Sequence, residues 1–210
     1  MTEQPRQGRI VLGVTGNIAS GKSTVVRMLK AKGARHIDAD LVYRELVGPG
    51  QPLLSRLVER FGPGIVAPDG SLDRRALGAI VFSDPAALAD LDAITHPAVI
   101  AEIDRRVAEI PAGVVVIDAV KLIESGHADH CDVVWLVVAP PEAQVTRLME
   151  RNTLSRDEAM RRVAAQPPLA PKIARADRII ENAGTLEELR AQVDAAWREL
   201  VSGQPADPGR

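Results

Sequence analysis

At 210 residues, with a formal net charge of −2 and 46% apolar content, the chain is sized for one globular domain with an inserted subdomain, its 2% aromatics leaving the core to aliphatic residues. The balanced charge argues against a general nucleic-acid binder and leaves anion binding to local Arg clusters. A single cysteine, Cys131, rules out an intrachain disulfide, and no apolar run suits a membrane span or signal-peptide core, so a cytoplasmic enzyme with no membrane or nucleic-acid partner is expected.

The first eight residues, Met1 to Gly8, read as a poorly ordered end. Ile10–Val14 is the first of five apolar runs predicted as strands; the others are Arg35–Asp38, Val114–Asp118, Val133–Val138 and Arg178–Glu181. Four of them are continuous or nearly so, which suits a parallel sheet covered on both faces. Directly behind the first run, Gly16-Asn17-Ile18-Ala19-Ser20-Gly21-Lys22-Ser23-Thr24 satisfies the phosphate-binding pattern GxxxxGK[ST]. Its glycines let backbone N–H groups turn inward onto a phosphate, Lys22 has the reach for the outer phosphates, and Ser23 can ligate magnesium. A helix over Lys22–Lys32 adds the positive end of its dipole. The loop calls for a nucleoside triphosphate and leaves the phosphate acceptor open.

The second strand runs into Ile37-Asp38-Ala39-Asp40. An extended Asp38 to Asp40 turns both carboxylates to one side, at the carboxyl end of a strand, where open α/β sheets bind ligands. Asp40 then has the chemistry of a general base for an attacking hydroxyl, or else caps the next helix; for Asp38 a cap or a magnesium-water contact is the simpler role. Arg44, four residues on, shares a helix face with Asp40 and can pair with it or meet an anionic substrate. From about Leu41 to Ala112 there are helical segments and no convincing strand, too long a stretch for one crossover helix. It reads as a helical subdomain broken at Gly48-Pro49-Gly50, Gly62-Pro63-Gly64 and Asp69-Gly70. His96, before Pro97, marks a helix junction where a capping or packing histidine is the plain reading.

Val114–Asp118 has the form of a Walker B segment, an apolar strand ending in an acid that helps organise magnesium. His127, His130, Cys131 and Asp132 have no second pair at zinc spacing and read as a surface loop, with Cys131 a packing residue. Pro141–Arg151 is predicted helical, with Arg147 and Arg151 projecting from one face, and Ser155–Gln166 opens with Ser155 and Glu158 at capping-box spacing. The arginines there form either a solvated charged face or, given the phosphate loop, a mobile lid that excludes water from the phosphate donor. Thr185 and Glu188 repeat the capping signal before a last helix whose stripe is Leu186, Leu189, Val193, Ala196, Trp197 and Leu200. Ser202 to Arg210 reads as a second loose end.

Together these segments resemble the dephospho-coenzyme A kinase family, from about Arg9 to Leu200. The resemblance rests on GNIASGKST, IDAD at Ile37–Asp40 with Arg44, Pro49-Gly50, Phe61-Gly62, DGSLDRRALGAIVF at Asp69–Phe82, His96-Pro97, Arg147 with Arg151, Ala165-Gln166 and ADRIIENAG at Ala176–Gly184. It implies a three-layer α/β/α P-loop kinase fold with a five-stranded parallel sheet, a helical substrate-binding insertion at about 41–112 and an arginine-bearing lid at about 147–175. It also implies transfer of the ATP γ-phosphate, with Mg2+, to the ribose 3′-hydroxyl of dephospho-coenzyme A. In that family's terms Asp40 is the general base, Lys22 and Arg147 act on the transferring group, and Ala19–Thr24 with Gly16 cradle the ATP phosphates. Arg151, Asn182 and Gly184 belong to the nucleotide side, Asp40, Arg44, His96 and Lys121 to the acceptor side, and Ser23, Asp38 and Asp118 to the metal. The chain departs from the family's pattern at Val120, in place of a proline, and at Lys121, in place of a leucine; Lys121 is a candidate contact for an anionic group of substrate or nucleotide. Another small-metabolite kinase of this architecture and a non-catalytic nucleotide switch are the alternatives, though a guanine-reading NKxD segment is absent from the sequence.

Overall fold

All five apolar runs form strands, in a computed structural model that describes residues 8–203. They are β1 (Arg9–Thr15), β2 (Arg35–Asp38), β3 (Gly113–Asp118), β4 (Val133–Val138) and β5 (Arg178–Glu181), in one sheet of order β2-β3-β1-β4-β5. β1 pairs in parallel with both β3 and β4, and β4 with β5. The register sets Val14 opposite Asp118 on one side and Trp135 on the other. With β1 flanked by two later strands, the chain reverses its direction of travel across the sheet at the carboxyl end of β1, which is where such sheets open a ligand crevice.

The chain divides into two compact units, one whose described part is residues 8–36 with 110–203, the other residues 37–109. In the first unit, alternation along the strands sends Leu12, Val14, Val114, Val116, Trp135 and Val137 to one face. There they pack against Val25, Val26 and Leu29 of helix α1 (Lys22–Ala31) and Leu189, Val193 and Ala196 of the C-terminal helix α9 (Leu186–Ser202). The opposite set, Val11, Val115, Ile117, Val134 and Leu136, is buried as well, which explains why the strands read as continuous apolar runs. Gly13 is needed for close approach: a Cβ there would meet Leu122 Cδ2 at 2.6 Å and Cys131 Sγ at 2.8 Å. Cys131 thus has the packing role expected of it. Leu186, placed on the apolar stripe of the last helix by periodicity, is exposed instead, because it is the first residue of α9 and lies short of the sheet-facing turns. α9 includes Ser202, where a loose end was expected to begin, and Gly203 closes it at φ 68. The remaining expectation of poorly ordered ends falls on residues 1–7 and 204–210, outside the described residues.

The second unit is helical: α2 (Ala39–Leu46), α3 (Pro52–Phe61), α4 (Arg74–Val81) and α5 (Pro85–Ala108). Asp73 caps α4 by accepting from the Arg75 and Ala76 N–H groups, and Asp84 caps α5 through the Ala86 N–H. Leu53, Leu54, Leu57, Ile65, Leu77 and Val81 give the unit its own core. Glu102 of α5 accepts from Arg105 and Arg106, and Arg106 also reaches Glu45 of α2. Those guanidinium hydrogen bonds hold the Glu102 carboxyl down at about 2. The helix junction expected at His96-Pro97 is not there: both residues lie inside the 24-residue α5. A proline in a helix removes one N–H, and the long helix is kept by its remaining rungs and by the burial of Ala87, Thr95, Ile103 and Val107 along its length. His96 Nε2 sits 3.2 Å from Asp92 Oδ1, one turn back.

Candidate functional site

The loop from Gly16 to Thr24 joins β1 to α1, and its shape is enforced by neighbours as much as by its own glycines. At Gly16 a Cβ would lie 2.5 Å from the Val137 carbonyl and 2.6 Å from Ser20 Oγ. Gly21 is the N-cap of α1 at φ 98, and a Cβ there would run into the Asn182 amide. Ala19 adopts φ 55, a left-handed conformation that costs an L-residue roughly 1–2 kcal/mol. The cost is met by an external clamp. Arg147, on α6 (Pro141–Asn152), donates from one terminal nitrogen to the Ala19 and Ser20 carbonyls at 3.2 and 3.3 Å, and from the other to the Asn182 carbonyl at 2.9 Å. Asn182 Nδ2 donates to the Ser20 carbonyl at 2.8 Å, and its N–H is held by Val138 at the end of β4. Gln166 Oε1 accepts from the Ile18 N–H at 3.1 Å. The carbonyls of Ala19 and Ser20 thereby accept from a guanidinium and an amide, which leaves the N–H side of the loop, at the start of α1, for an anion. Among the described residues, the buried Ser20 Oγ has no hydrogen-bond partner, so the loop holds a polar group free to bond a ligand.

Lys22, in the first turn of α1, forms an ion pair with Oδ1 of Asp118 at the end of β3. The other carboxylate oxygen faces His36 Nε2 at 3.6 Å. Ser23 and Thr24 follow on the same turn, Ser23 exposed. A cavity of about 390 Å³ opens beside the loop, lined by Ala19, Gly21, Thr24, Arg147, Arg151 and Asn182. Arg147 and Arg151 therefore do share a face of α6 and one cavity, but with different partners. Arg147 is half-buried against the loop, whereas Arg151 is exposed and donates to Asn152 Oδ1 at 3.0 Å. Helix α7 (Arg156–Ala164) carries the Ser155–Glu158 capping box, and α8 (Ala170–Arg175) follows. The Thr185–Glu188 box is present too, and it is what fixes Gly184: a Cβ there would strike the Glu188 carboxylate.

On the second unit the extended Asp38–Asp40 geometry does not occur. β2 ends at Asp38 and α2 begins at Ala39, because Asp38 Oδ1 accepts the Asp40 and Leu41 N–H groups at 2.9 and 3.1 Å and so starts the helix. Asp38 is an N-cap with one oxygen committed. Asp40 stands exposed in the first turn of α2, with Arg44 exposed four residues further along the same helix. The surface-loop reading of residues 127–132 also needs correction. His127 and Ala128 are buried in a short 3-10 turn, and Asp132 Oδ2 accepts the Val11 N–H at 2.7 Å, tying the segment to β1. Lys121 is exposed in the turn after β3.

Three side chains that touch this machinery carried no signal strong enough to single them out. Gln166 ends a predicted helix and belongs to a family segment, Thr15 lies just past the first predicted strand, and Lys172 falls inside the lid segment with no role of its own. Lys172 is nevertheless 3% exposed.

The profile of the family described as Dephospho-CoA kinase matches residues 10–188. A protein of Symbiobacterium thermophilum named Dephospho-CoA kinase is 51% identical over 203 residues, covering 94% of this chain and 84% of its own. A solved protein of Thermus thermophilus, TT1252, superposes with a TM-score of 0.77 at 36% identity, covering 92% of this chain and 99% of its own. Shikimate kinase from Bacteroides thetaiotaomicron shares the fold, with a TM-score of 0.53 at 16% identity over 91% of this chain and 98% of its own. Among the described residues no helix is long and apolar enough to cross a membrane.

Proposed function

The chain belongs to the dephospho-CoA kinase family, whose members use ATP to phosphorylate dephospho-CoA in the last step of coenzyme A synthesis, and from that premise we propose how its own residues divide the work. The acceptor is the ribose 3′-hydroxyl. Asp40 takes the hydroxyl proton as the oxygen attacks the γ-phosphorus; the bond from that phosphorus to the bridging oxygen breaks, and ADP leaves with the electron pair. The exposed position of Asp40 in the first turn of α2 supports this role, since its carboxylate is not spent on a cap. Lys22 leaves Asp118 for the outer phosphates and stabilises charge on the transferring group. Phosphoryl transfer asks mainly for such positioning and electrostatics.

The observation that carries the nucleotide assignment is the clamp on Ala19 and Ser20, which presets the loop for an anion at the start of α1. Gly16, Ser20, Gly21 and Thr24 form the cradle around it. Arg147 serves the nucleotide by holding that cradle and the Asn182 turn, while the exposed Arg151, lining the same cavity, is the arginine available to the ligand itself. Arg44, His96 and Lys121 are assigned to the acceptor side.

A magnesium ion fits the donor set, because the Ser23 hydroxyl and the Asp118 carboxylate are the hard oxygen ligands it prefers. Asp38 commits only Oδ1 to its cap, which leaves Oδ2 for a magnesium-water contact. Bound there, magnesium would neutralise phosphate charge. A cytoplasmic location without a nucleic-acid partner completes the proposal, supported by the single cysteine of the sequence and the net charge of −2. ADP release from the purified chain with ATP, magnesium and each of dephospho-CoA, shikimate and gluconate tests the acceptor. Stimulation by dephospho-CoA is expected, and stimulation by another acceptor alone would refute it.

A further inference from the structure

Lysine is among the residues least often buried, because desolvating its ammonium costs several kcal/mol unless charge and hydrogen bonds compensate. Lys172 of α8 is buried at 3% exposure, and its compensation is directed at one short turn. Nζ donates to the Val120 carbonyl at 2.9 Å and lies 3.2 Å from Glu124 Oε1, so it spans both ends of residues 120–124. The same Val120 carbonyl accepts from Thr15 Oγ1 at 3.0 Å, on the last residue of β1 before the phosphate loop. The Ala119 N–H donates to the Val14 carbonyl at 3.2 Å. This turn leaves β3 immediately after Asp118, the partner of Lys22, and carries the Val120 and Lys121 departures.

Lys172 also sits on the return of the arginine segment. Gln166, six residues earlier, pins that return to Ile18 of the phosphate loop, and Lys172 pins it to the turn beside Asp118. A methionine would fill the same space without the desolvation cost. What the ammonium adds is a directional hold on a carbonyl two residues from Asp118.

We propose that Lys172 is a positioning residue for phosphoryl transfer. It fixes the 119–124 turn and, through it, the direction of the Asp118 carboxylate, the partner that Lys22 leaves when the phosphates bind. It touches no reacting atom. The proposal rests on the kinase reading above. Because the clamp on the phosphate loop runs through Arg147, Asn182 and Gln166, loss of the Lys172 ammonium spares nucleotide affinity and lowers turnover.

The test uses the full chain as wild type, Lys172→Met, Thr15→Val and the double variant. It reads kcat, the KM for dephospho-CoA, the Kd for ATP by titration, and the melting temperature. A misplacement of about 1 Å at a catalytic centre costs up to about a hundredfold, so Lys172→Met is expected to lower kcat by about tenfold or more while the ATP Kd moves by less than about threefold. Thr15→Val loosens the same carbonyl, so the double variant should lose less than the product of the single losses. A Lys172→Met variant that melts lower yet keeps kcat within about twofold would make the ammonium purely structural and overturn the proposal, as would losses that multiply. Should Lys172→Met not fold, Thr15→Val decides alone: reduced kcat at unchanged ATP Kd supports the hold on the carbonyl, and unchanged kcat rejects it. A wild type that binds ATP but does not phosphorylate dephospho-CoA removes the premise itself, whereas an active wild type with an indifferent Lys172→Met leaves the premise standing and removes only this inference.

Discussion

Gly21→Ala puts the phosphate loop under a load whose size follows from two independent contacts. At φ 98 an L-residue is outside its comfortable range, at a cost of roughly 1–2 kcal/mol. The added methyl also collides with the Asn182 amide, which is buried and donates to the Ser20 carbonyl at 2.8 Å. Moving that amide breaks the bond and leaves buried groups unpaired, for about 1–3 kcal/mol more. The sum, about 2–5 kcal/mol, is a large part of the 5–15 kcal/mol typical of a folded domain. Urea unfolding of Gly21→Ala, Asn182→Ala and the double variant measures it. Once Asn182 is truncated the collision is gone, so Gly21→Ala should cost only its backbone share, about 1–2 kcal/mol, giving a cycle with coupling of about 1–3 kcal/mol. Additivity within about 0.5 kcal/mol would show that Asn182 does not press on Gly21, and the clamp described for the loop would be wrong.

Asp40→Asn should fold and bind ATP normally while turnover drops by roughly a hundred- to ten-thousand-fold, as measured by coupled ADP release; a near-normal rate would mean that another group or solvent takes the proton. Arg147→Met removes the bonds to Ala19, Ser20 and Asn182 and should weaken ATP binding by about tenfold or more, equal to about 1.4 kcal/mol, with an unchanged Kd in calorimetry counting against the clamp. In the helical unit, hydrogen bonds from Arg105 and Arg106 lower the Glu102 carboxyl from 4.5 to about 2, so its ionised form is favoured in the folded state. The resulting stability is fully present above pH 4.5 and is lost as pH falls toward 2, so Glu102→Gln should flatten the melting-temperature profile over that window. Parallel profiles for wild type and variant would show that the ion pairs are screened away by solvent.

β1, β3 and β4 were legible because burial on both faces writes a nearly uninterrupted apolar run, and the starts of α7 and α9 because a capping box is a local code read from Ser155, Glu158, Thr185 and Glu188 alone. The phosphate loop was legible for a similar reason. Asp38 and Asp40 were harder, since the residues permit either an extended strand end or a capped helix, and one carboxylate catching two N–H groups tips the balance to the helix. At His96 the local rule and the fold part company, because Pro97 is a breaker by sequence while the helix that absorbs it draws on packing spread over many turns. Gly184 was placed on the nucleotide side by likeness, yet the structure shows a second reason for it in the Glu188 carboxylate of the adjoining cap. Arg147 and Lys172 show the limit of local reading. A long cationic side chain reports its charge in sequence, but whether it faces water, a ligand or a backbone carbonyl depends on elements that meet only in the fold. Arg147 contacts residues 127 and 128 positions away, and Lys172 one 52 positions away.

As a member of the dephospho-CoA kinase family, this chain is expected to place the ATP γ-phosphate on the ribose 3′-hydroxyl of dephospho-CoA. Incubation of the purified full chain with ATP, magnesium and dephospho-CoA, followed by phosphorus NMR of the isolated product, tests it directly. ADP and coenzyme A are expected in equal amounts, with a new phosphomonoester at the 3′ position. ATP consumption indifferent to dephospho-CoA, or a phosphate on any other hydroxyl, would contradict it.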